Sequence, residues 1–207
     1  MQATRPIVFV VDDDVSVRES LEPLIESAGW QPEVFASAQD FLARSRPDAP
    51  SCLILDVTLP DLNGLEVQKR IASTQAEMPI IFITGHGNIP MSVQAMKAGA
   101  CEFLTKPFVS DVLLAAIESA IEHSRAARAE AAKLQALRER WESLSRREQE
   151  VMSLVVRGRL NKQVGGELGI SEITVKAHRG HVMRKMQAKT LADLMNMAAR
   201  LRNPTSL

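Results

Sequence analysis

Three acids, a lysine and a threonine each follow a short apolar run. Asp12 and Asp13 follow Ile7-Val8-Phe9-Val10-Val11, and Asp56 follows Cys52-Leu53-Ile54-Leu55. Thr84 closes Pro79-Ile80-Ile81-Phe82-Ile83-Thr84, and Lys106 follows Cys101-Glu102-Phe103-Leu104-Thr105. Runs of this kind, bounded by breakers, read as buried strands. The polar groups then lie at strand carboxyl ends, where an open α/β sheet builds its binding crevice. Three carboxylates a few ångströms apart repel one another unless a cation joins them. With oxygen ligands only and no His or Cys nearby, the hard choice is magnesium. Lys106 adds a second positive charge and Thr84 a hydroxyl donor. The set fits transfer of a phosphoryl group to a carboxylate, with positioning and charge neutralisation as the main terms. Each part alone is bland: an Asp pair after a strand usually marks a turn or a helix cap, and a single Lys-Pro says nothing. The conjunction carries the argument.

The elements between these strand ends are helical. Val17, Leu21, Leu24, Ile25 and Ala28 mark one helix face, ended by Gly29. Pro32-Glu33-Val34-Phe35 is a second strand, and Ser37 caps a short helix with Phe41 and Leu42. Asn63-Gly64 opens a helix with Leu65, Val67 and Ile71; Gly85-His86-Gly87-Asn88 is a loop; Met91–Ala98 is a helix closed by Gly99. Five strands alternating with five helices predict a parallel sheet with strand order 2-1-3-4-5, a flavodoxin-like α/β domain. The two cysteines, Cys52 and Cys101, fall in these strands and are expected to be buried hydrophobes rather than a disulfide.

The balanced charge of the 207-residue chain hides an asymmetry. Residues 1–123 hold 8 Lys and Arg against 17 Asp and Glu, and residues 124–207 hold 17 against 8. Opposite signs suggest two domains with different partners, the basic one suited to a polyanion. No apolar run is long enough to span a bilayer, and the N-terminus shows no signal-peptide pattern, so neither a membrane nor export is expected. From Ser110 to Ser143 there is no Gly or Pro, and Ala, Glu, Arg and Leu abound. This predicts a long helix whose part from 124 to 142 links the halves, with Leu134, Leu137 and Trp141 as a weak dimer seam.

Residues 143–207 predict an all-α domain. Ser145-Arg146-Arg147-Glu148 is a capping box, Gly158 ends the first helix, and Asn161–Leu168 is the second, stopped by Gly169. Ser171 caps a third helix with Ile173, Val175, Val182 and Met186 as its buried stripe, and Leu191–Leu201 is a fourth. Lys176, Arg179 and Lys185 lie on the third helix's other face, with His178 and His181 nearby. Two short helices joined by Gly169-Ile170-Ser171 look like a helix-turn-helix. A basic face alone is more often only a solvated surface; the arrangement favours DNA.

Residues 1–123 resemble the receiver domain of two-component response regulators. The matches are Val11-Asp12-Asp13-Asp14, Asp56 with Pro60 and Gly64, Thr84-Gly85-His86-Gly87 and Lys106-Pro107-Phe108. The run from Ile83 to Met91, with Met96-Lys97-Ala98-Gly99-Ala100, is similar to the FixJ branch. The resemblance implies that Asp56 accepts phosphate from a sensor histidine kinase. It implies that Asp12, Asp13, Asp56 and the backbone carbonyl of Thr58 hold Mg2+ (or Mn2+), with Asp14 outside the ligand set. It also implies that Lys106 contacts the phosphate, that Thr84 and Phe103 form a switch pair, and that Pro107 follows a cis peptide. Residues 143–201 resemble the LuxR/FixJ-type DNA-binding domain through Leu144-Ser145-Arg146-Arg147-Glu148, Gly158, Asn161-Lys162, Leu168-Gly169-Ile170-Ser171, Thr174-Val175-Lys176, His178 and Lys185-Met186. There the resemblance implies that the helix after Ser171 enters the major groove. Lys176, Arg179 and Gly180 would lie on its groove-facing side, Asn161, Lys162 and Lys185 would favour phosphates, and Thr174 and His178 would belong to the same DNA-binding set. The pattern departs at Gly165-Gly166, where relatives carry an alanine-like residue; two glycines inside a helix are expected to cost roughly 1 kcal/mol each.

The resulting expectation is a cytoplasmic, phosphorylation-controlled transcription regulator acting on promoter DNA with RNA polymerase. Phosphorylation would promote a homodimer through Met96, Val112, Leu113 and Ala116; the alternative is a dimer pre-formed on the linker seam. A magnesium-dependent phosphatase with an aspartyl nucleophile is the competing enzyme reading, but it wants an acid where Thr58 stands. A receiver whose C-terminal helices dock a protein is the third.

Overall fold

In the computed structural model, residues 5–45, 48–74, 78–85 and 89–202 are described. The chain divides into two compact units, Met1–Arg128 and Ala129–Leu207. In the first, β1 (Ile7–Val11), β2 (Gln31–Phe35), β3 (Ser51–Asp56), β4 (Ile80–Thr84) and β5 (Glu102–Thr105) form a parallel sheet in the order β2-β1-β3-β4-β5. The helices between them are α1 (Val15–Ser27), α2 (Ala38–Ala43), α3 (Gly64–Thr74) and α4 (Ile89–Lys97), and α5 (Ser110–Glu142) follows β5. This is the flavodoxin-like order expected from the alternation of patterns. The loop expected at 85–88 lies, from His86 to Asn88, outside the described residues.

Alternation along each strand splits the core into two layers. Phe9, Val11, Leu53, Leu55 and Phe82 pack with Phe41 of α2, Val67 and Ile71 of α3 and Ala95 of α4. Val8, Val10, Cys52, Ile54, Ile81 and Ile83 pack with Leu21 and Ile25 of α1 and Leu113, Ile117 and Ala120 of α5. Each large side chain so buried contributes roughly 1.5–3 kcal/mol. Because both faces are covered, the central strands β1, β3 and β4 read as near-continuous apolar runs, which is why they were legible, whereas the edge strands β2 and β5 are mixed.

The second unit holds the remainder of α5 with α6 (Arg146–Val155), α7 (Asn161–Leu168), α8 (Glu172–Met186) and α9 (Leu191–Arg202). Their core is Leu137, Leu144, Val151, Met152, Val155, Val164, Val175, Val182, Met186, Leu194 and Ala198. Ser145 and Glu148 form the capping box reciprocally, and Ser171 accepts from the Thr174 N–H at 3.1 Å to cap α8. Gly169 ends α7 at φ +65°, a left-handed turn that favours glycine.

Four expectations need correction. Ile173 is not part of the buried stripe of α8: it is 83% exposed, because it lies two residues before Val175, about 200° around the helix from the face that carries Val175, Val182 and Met186. Cys101 is exposed and sits one residue before β5, so only Cys52 is a core hydrophobe. Leu137 and Trp141 do not form a free dimer seam; they pack into the chain's own C-terminal core. Leu113 is fully buried against the sheet and cannot lie in an exposed dimer patch, although Met96 and Val112 are exposed.

Candidate functional site

The register of the sheet brings the polar strand ends together. Val11 pairs with Leu55, so Asp12 falls level with Asp56, while Thr84 pairs with Thr105 and puts Lys106 just beyond. Asp12 and Asp56 are buried and Asp13 is exposed, and each offers a carboxylate oxygen within 4.8 Å of the others. The Lys106 ammonium donates to Asp12 Oδ2 and to Asp56 Oδ2, both at 2.6 Å. The Thr58 N–H donates to Asp56 Oδ1 at 2.8 Å, so both oxygens of that carboxylate are oriented. The Asp14 N–H donates to Asp12 Oδ1 at 3.0 Å, while the Asp14 side chain caps α1 through the Ser16 N–H at 2.9 Å. Asp14 therefore serves the helix, not the acid cluster.

Burial pushes the Asp12 carboxyl above the ordinary carboxylate range, against the opposing pull of Lys106. Burial also works to lower the Lys106 value, but its hydrogen bonds to Asp12 and Asp56 prevail and hold the ammonium above the ordinary lysine range. One lysine leaves three acids undercompensated, and the oxygen-only donor set fits a hard divalent cation. Thr84 is fully buried at the end of β4. The Phe103 ring is partly buried against Phe82, with centroids 6.2 Å apart. The Lys106-Pro107 peptide is cis.

One contributor was not legible in the sequence, and for another, Gly64, the sequence showed its place in the pattern but not its packing role. The Arg18 guanidinium donates to the Asp12 backbone carbonyl at 2.6 Å, and no local pattern announces that contact. Gly64 starts α3 so close to β3 that an added Cβ would meet the Asp56 carbonyl oxygen at 2.5 Å. Only glycine lets the turn after Asp56 close onto the strand.

The second unit presents the other surface. On α8, Lys176 is exposed, and Arg179 is half-buried and donates to Asn161 Oδ1 at 2.6 Å, tying the start of α7 to α8. Lys162 is exposed at the start of α7, and Thr174 shares a 2.8 Å hydrogen bond with Ser171. His178 turns its Nδ1 inward, where it is buried with no hydrogen-bond partner. Lys185 differs from expectation. Its ammonium donates to the buried Glu148 Oε2 at 2.7 Å and to the Ser143 carbonyl at 3.1 Å, so it is engaged inside the domain. The Lys185 hydrogen bond is the main reason the Glu148 carboxyl is held down to about 2. At Gly165 an added Cβ would meet the Ile170 carbonyl oxygen at 2.7 Å, whereas at Gly166 nothing lies within 4 Å. Both glycines carry the helix cost, but at the first it is a packing requirement of the turn, and only at the second could alanine remove it without a clash.

Residues 8–118 match the response regulator receiver domain family, and residues 142–198 match the family of bacterial regulatory proteins of the luxR type. The chain is 51% identical over 199 residues to nodulation protein W of Bradyrhizobium diazoefficiens, covering 96% of this chain and 88% of that protein. It is 46% identical to the response regulator protein TodT of Pseudomonas putida, covering 95% and 87%. It is 42% identical to the transcriptional regulatory protein FixJ of Bradyrhizobium diazoefficiens, covering 95% and 96%. Among solved structures, the response regulator StyR superposes with a TM-score of 0.83 at 46% identity, covering 95% of this chain and all of that one. Full-length FixJ from B. japonicum gives 0.57 at 41% identity, covering 95% and 97%.

Proposed function

This chain belongs to the two-component response regulators that join a receiver domain to a LuxR-type DNA-binding domain, and on that premise we propose that Asp56 is its phospho-acceptor. It is a transcription regulator of the FixJ and TodT kind, not a catalytic enzyme. A receiver implies a kinase partner, and a helix-turn-helix implies DNA. The phosphoryl donor is a phosphohistidine of a sensor kinase. A carboxylate oxygen of Asp56 bonds to phosphorus as the P–N bond breaks, and the imidazole leaves and takes up a proton. Asp12, Asp13, Asp56 and the Thr58 backbone carbonyl would hold Mg2+, which would offset the charge of the phosphoryl oxygens. Lys106, already 2.6 Å from Asp56, is the ammonium in reach of the new phosphate. Thr84 and Phe103 carry the signal: the threonine hydroxyl follows the phosphoryl oxygen and the ring moves into the space it leaves.

The observation that carries this reading is the convergence of Asp12, Asp56 and Lys106 from three strands. Residues 1–123 act as the phospho-acceptor part and 143–207 as the DNA-reading part, joined through residues 124–142 in the cytoplasm, with RNA polymerase as the further partner. Lys176 and Arg179 supply base contacts with Thr174 at the helix start, and Asn161 and Lys162 supply phosphate contacts. We assign Lys185 to Glu148 rather than to DNA, and His178, with its Nδ1 buried, to support of the helix. Phosphorylation promotes a two-fold dimer on the exposed residues Met96 and Val112, which pairs two recognition helices. Labelling with acetyl phosphate and Mg2+ tests the acceptor. The wild-type chain is expected to form an acyl phosphate cleaved by hydroxylamine and to sediment as a dimer, and Asp56→Asn to do neither. Full labelling of Asp56→Asn would overturn the assignment.

A further inference from the structure

Away from the acid pocket, Glu148 of α6 and His178 and His181 of α8 bring a carboxylate oxygen and two imidazole nitrogens within 4.8 Å of one another. We propose that these three residues form a second metal site, built for a borderline divalent ion such as Zn2+. The proposal goes beyond the phospho-acceptor reading and does not depend on it.

Three observations carry it. The first is geometric. His178 and His181 are three residues apart on α8, so they share one face of that helix. His181 Nδ1 lies 3.4 Å from Glu148 Oε1. Two ligands bound tetrahedrally at about 2.0–2.1 Å stand roughly 3.3–3.5 Å apart, so this pair already has the spacing of one edge of a zinc tetrahedron. The second concerns the carboxylate. Its two oxygens are divided: Oε2 takes the Lys185 ammonium at 2.7 Å and the Ser145 N–H at 2.8 Å, while Oε1 faces His181. Outer hydrogen bonds of this kind fix a ligand's orientation before the metal arrives. The third is His178, whose Nδ1 is buried without a hydrogen-bond partner. A buried polar atom left without a partner is costly, and its imidazole gains most from a new ligand or a reorientation toward one.

The chemistry of the donors selects the ion. Two imidazoles and one carboxylate suit zinc and its transition-metal neighbours, with a fourth position for water; magnesium prefers oxygen. Lys185 weakens the site by its charge, but it sits on the far oxygen. The imidazole centroids are 6.5 Å apart, so joining both to one ion requires the His178 ring to turn toward the edge that His181 and Glu148 already form. A bound ion would pin α6 to the helix proposed to read DNA.

The experiment titrates Zn2+ into the full chain with Mg2+ in excess to fill the acid pocket. Calorimetry and the imidazole NMR signals are followed together, with His123 as the internal control. One equivalent is expected to move the His178 and His181 signals and leave His123 in place. His181→Ala is expected to lose at least tenfold in Zn2+ affinity while its metal-free melting temperature stays unchanged. Wild-type zinc affinity in His181→Ala, or His178 and His181 signals that stay fixed under stoichiometric zinc, would overturn the site.

Discussion

Lys185→Met separates the structural role of this lysine from a role on DNA. The substitution keeps the length and apolar stem of the side chain and removes two hydrogen bonds. One runs at 2.7 Å to Glu148, which is only 4% exposed, and one at 3.1 Å to the Ser143 carbonyl. A hydrogen bond to a charged group is worth about 1.5–3 kcal/mol and one to a neutral carbonyl about 0.5–1.5. The Lys185 side chain is 37% exposed, so solvent screening discounts the sum, and a loss of about 2 kcal/mol is expected. For a unit of this size that lowers the melting temperature by roughly 8–16 °C. Urea unfolding in metal-free buffer, followed by Trp141 in a Trp30→Phe background, reports on the second unit alone. The pH dependence supplies an independent check. The Glu148 carboxyl is held at about 2, below its ordinary 4.5, chiefly by Lys185. A depressed carboxylate contributes stability that is present above its unfolded value and lost as pH falls toward the folded one. Wild-type stability should therefore drop between about pH 4.5 and 2, and the drop should be shallower in Lys185→Met. The double variant Glu148→Gln/Lys185→Met should recover part of the loss, because it leaves no unpaired buried charge. An unchanged urea midpoint, with a DNA-binding salt slope reduced by about one, would refute the reasoning and return Lys185 to the phosphate contacts.

Three further predictions follow from single contacts. Gly166→Ala should stabilise the second unit by about 1 kcal/mol. Gly165→Ala should instead destabilise it by up to about 2, because its Cβ meets backbone at Ile170 and strain outweighs the helix gain; thermal melts that rank the two the other way contradict this. Replacing Asp12 and Asp13 together by Ala should abolish calorimetric Mg2+ binding, since Asp56 alone is a single-carboxylate site; unchanged affinity would mean that these acids only cap. Lys162→Ala should weaken binding to all DNA sequences about equally and reduce the salt slope by about one, while Lys176→Ala should relax preference at a particular base pair. Equal behaviour of the two variants in a binding assay on operator and random DNA would sink the division.

What the sequence determined by itself was whatever is decided locally. The three central strands were legible because a sheet covered on both faces demands near-continuous apolar runs, and their polar ends followed from where those runs stop; the edge strands β2 and β5, mixed in composition, were placed by their alternation with helices. Ser37, Ser145 and Ser171 announced helix starts because a cap bonds only two or three residues ahead. Tertiary structure decided what depends on distant partners. Ile173 and Val175, two residues apart, point to opposite sides of α8, so the helix period alone separates them; the packing of α8 on its neighbours decided which side is buried. Leu137 and Trp141 read as a seam awaiting a second copy, and the chain's own helices cover them. Lys185 read as a basic surface residue until the buried Glu148, distant in sequence, proved to hold it. Gly165 read as a defect in a helix until the carbonyl of Ile170 closed on it. Periodicity says which residues share a face, but the free energy of burying that face depends on what arrives opposite, and only the folded chain fixes that.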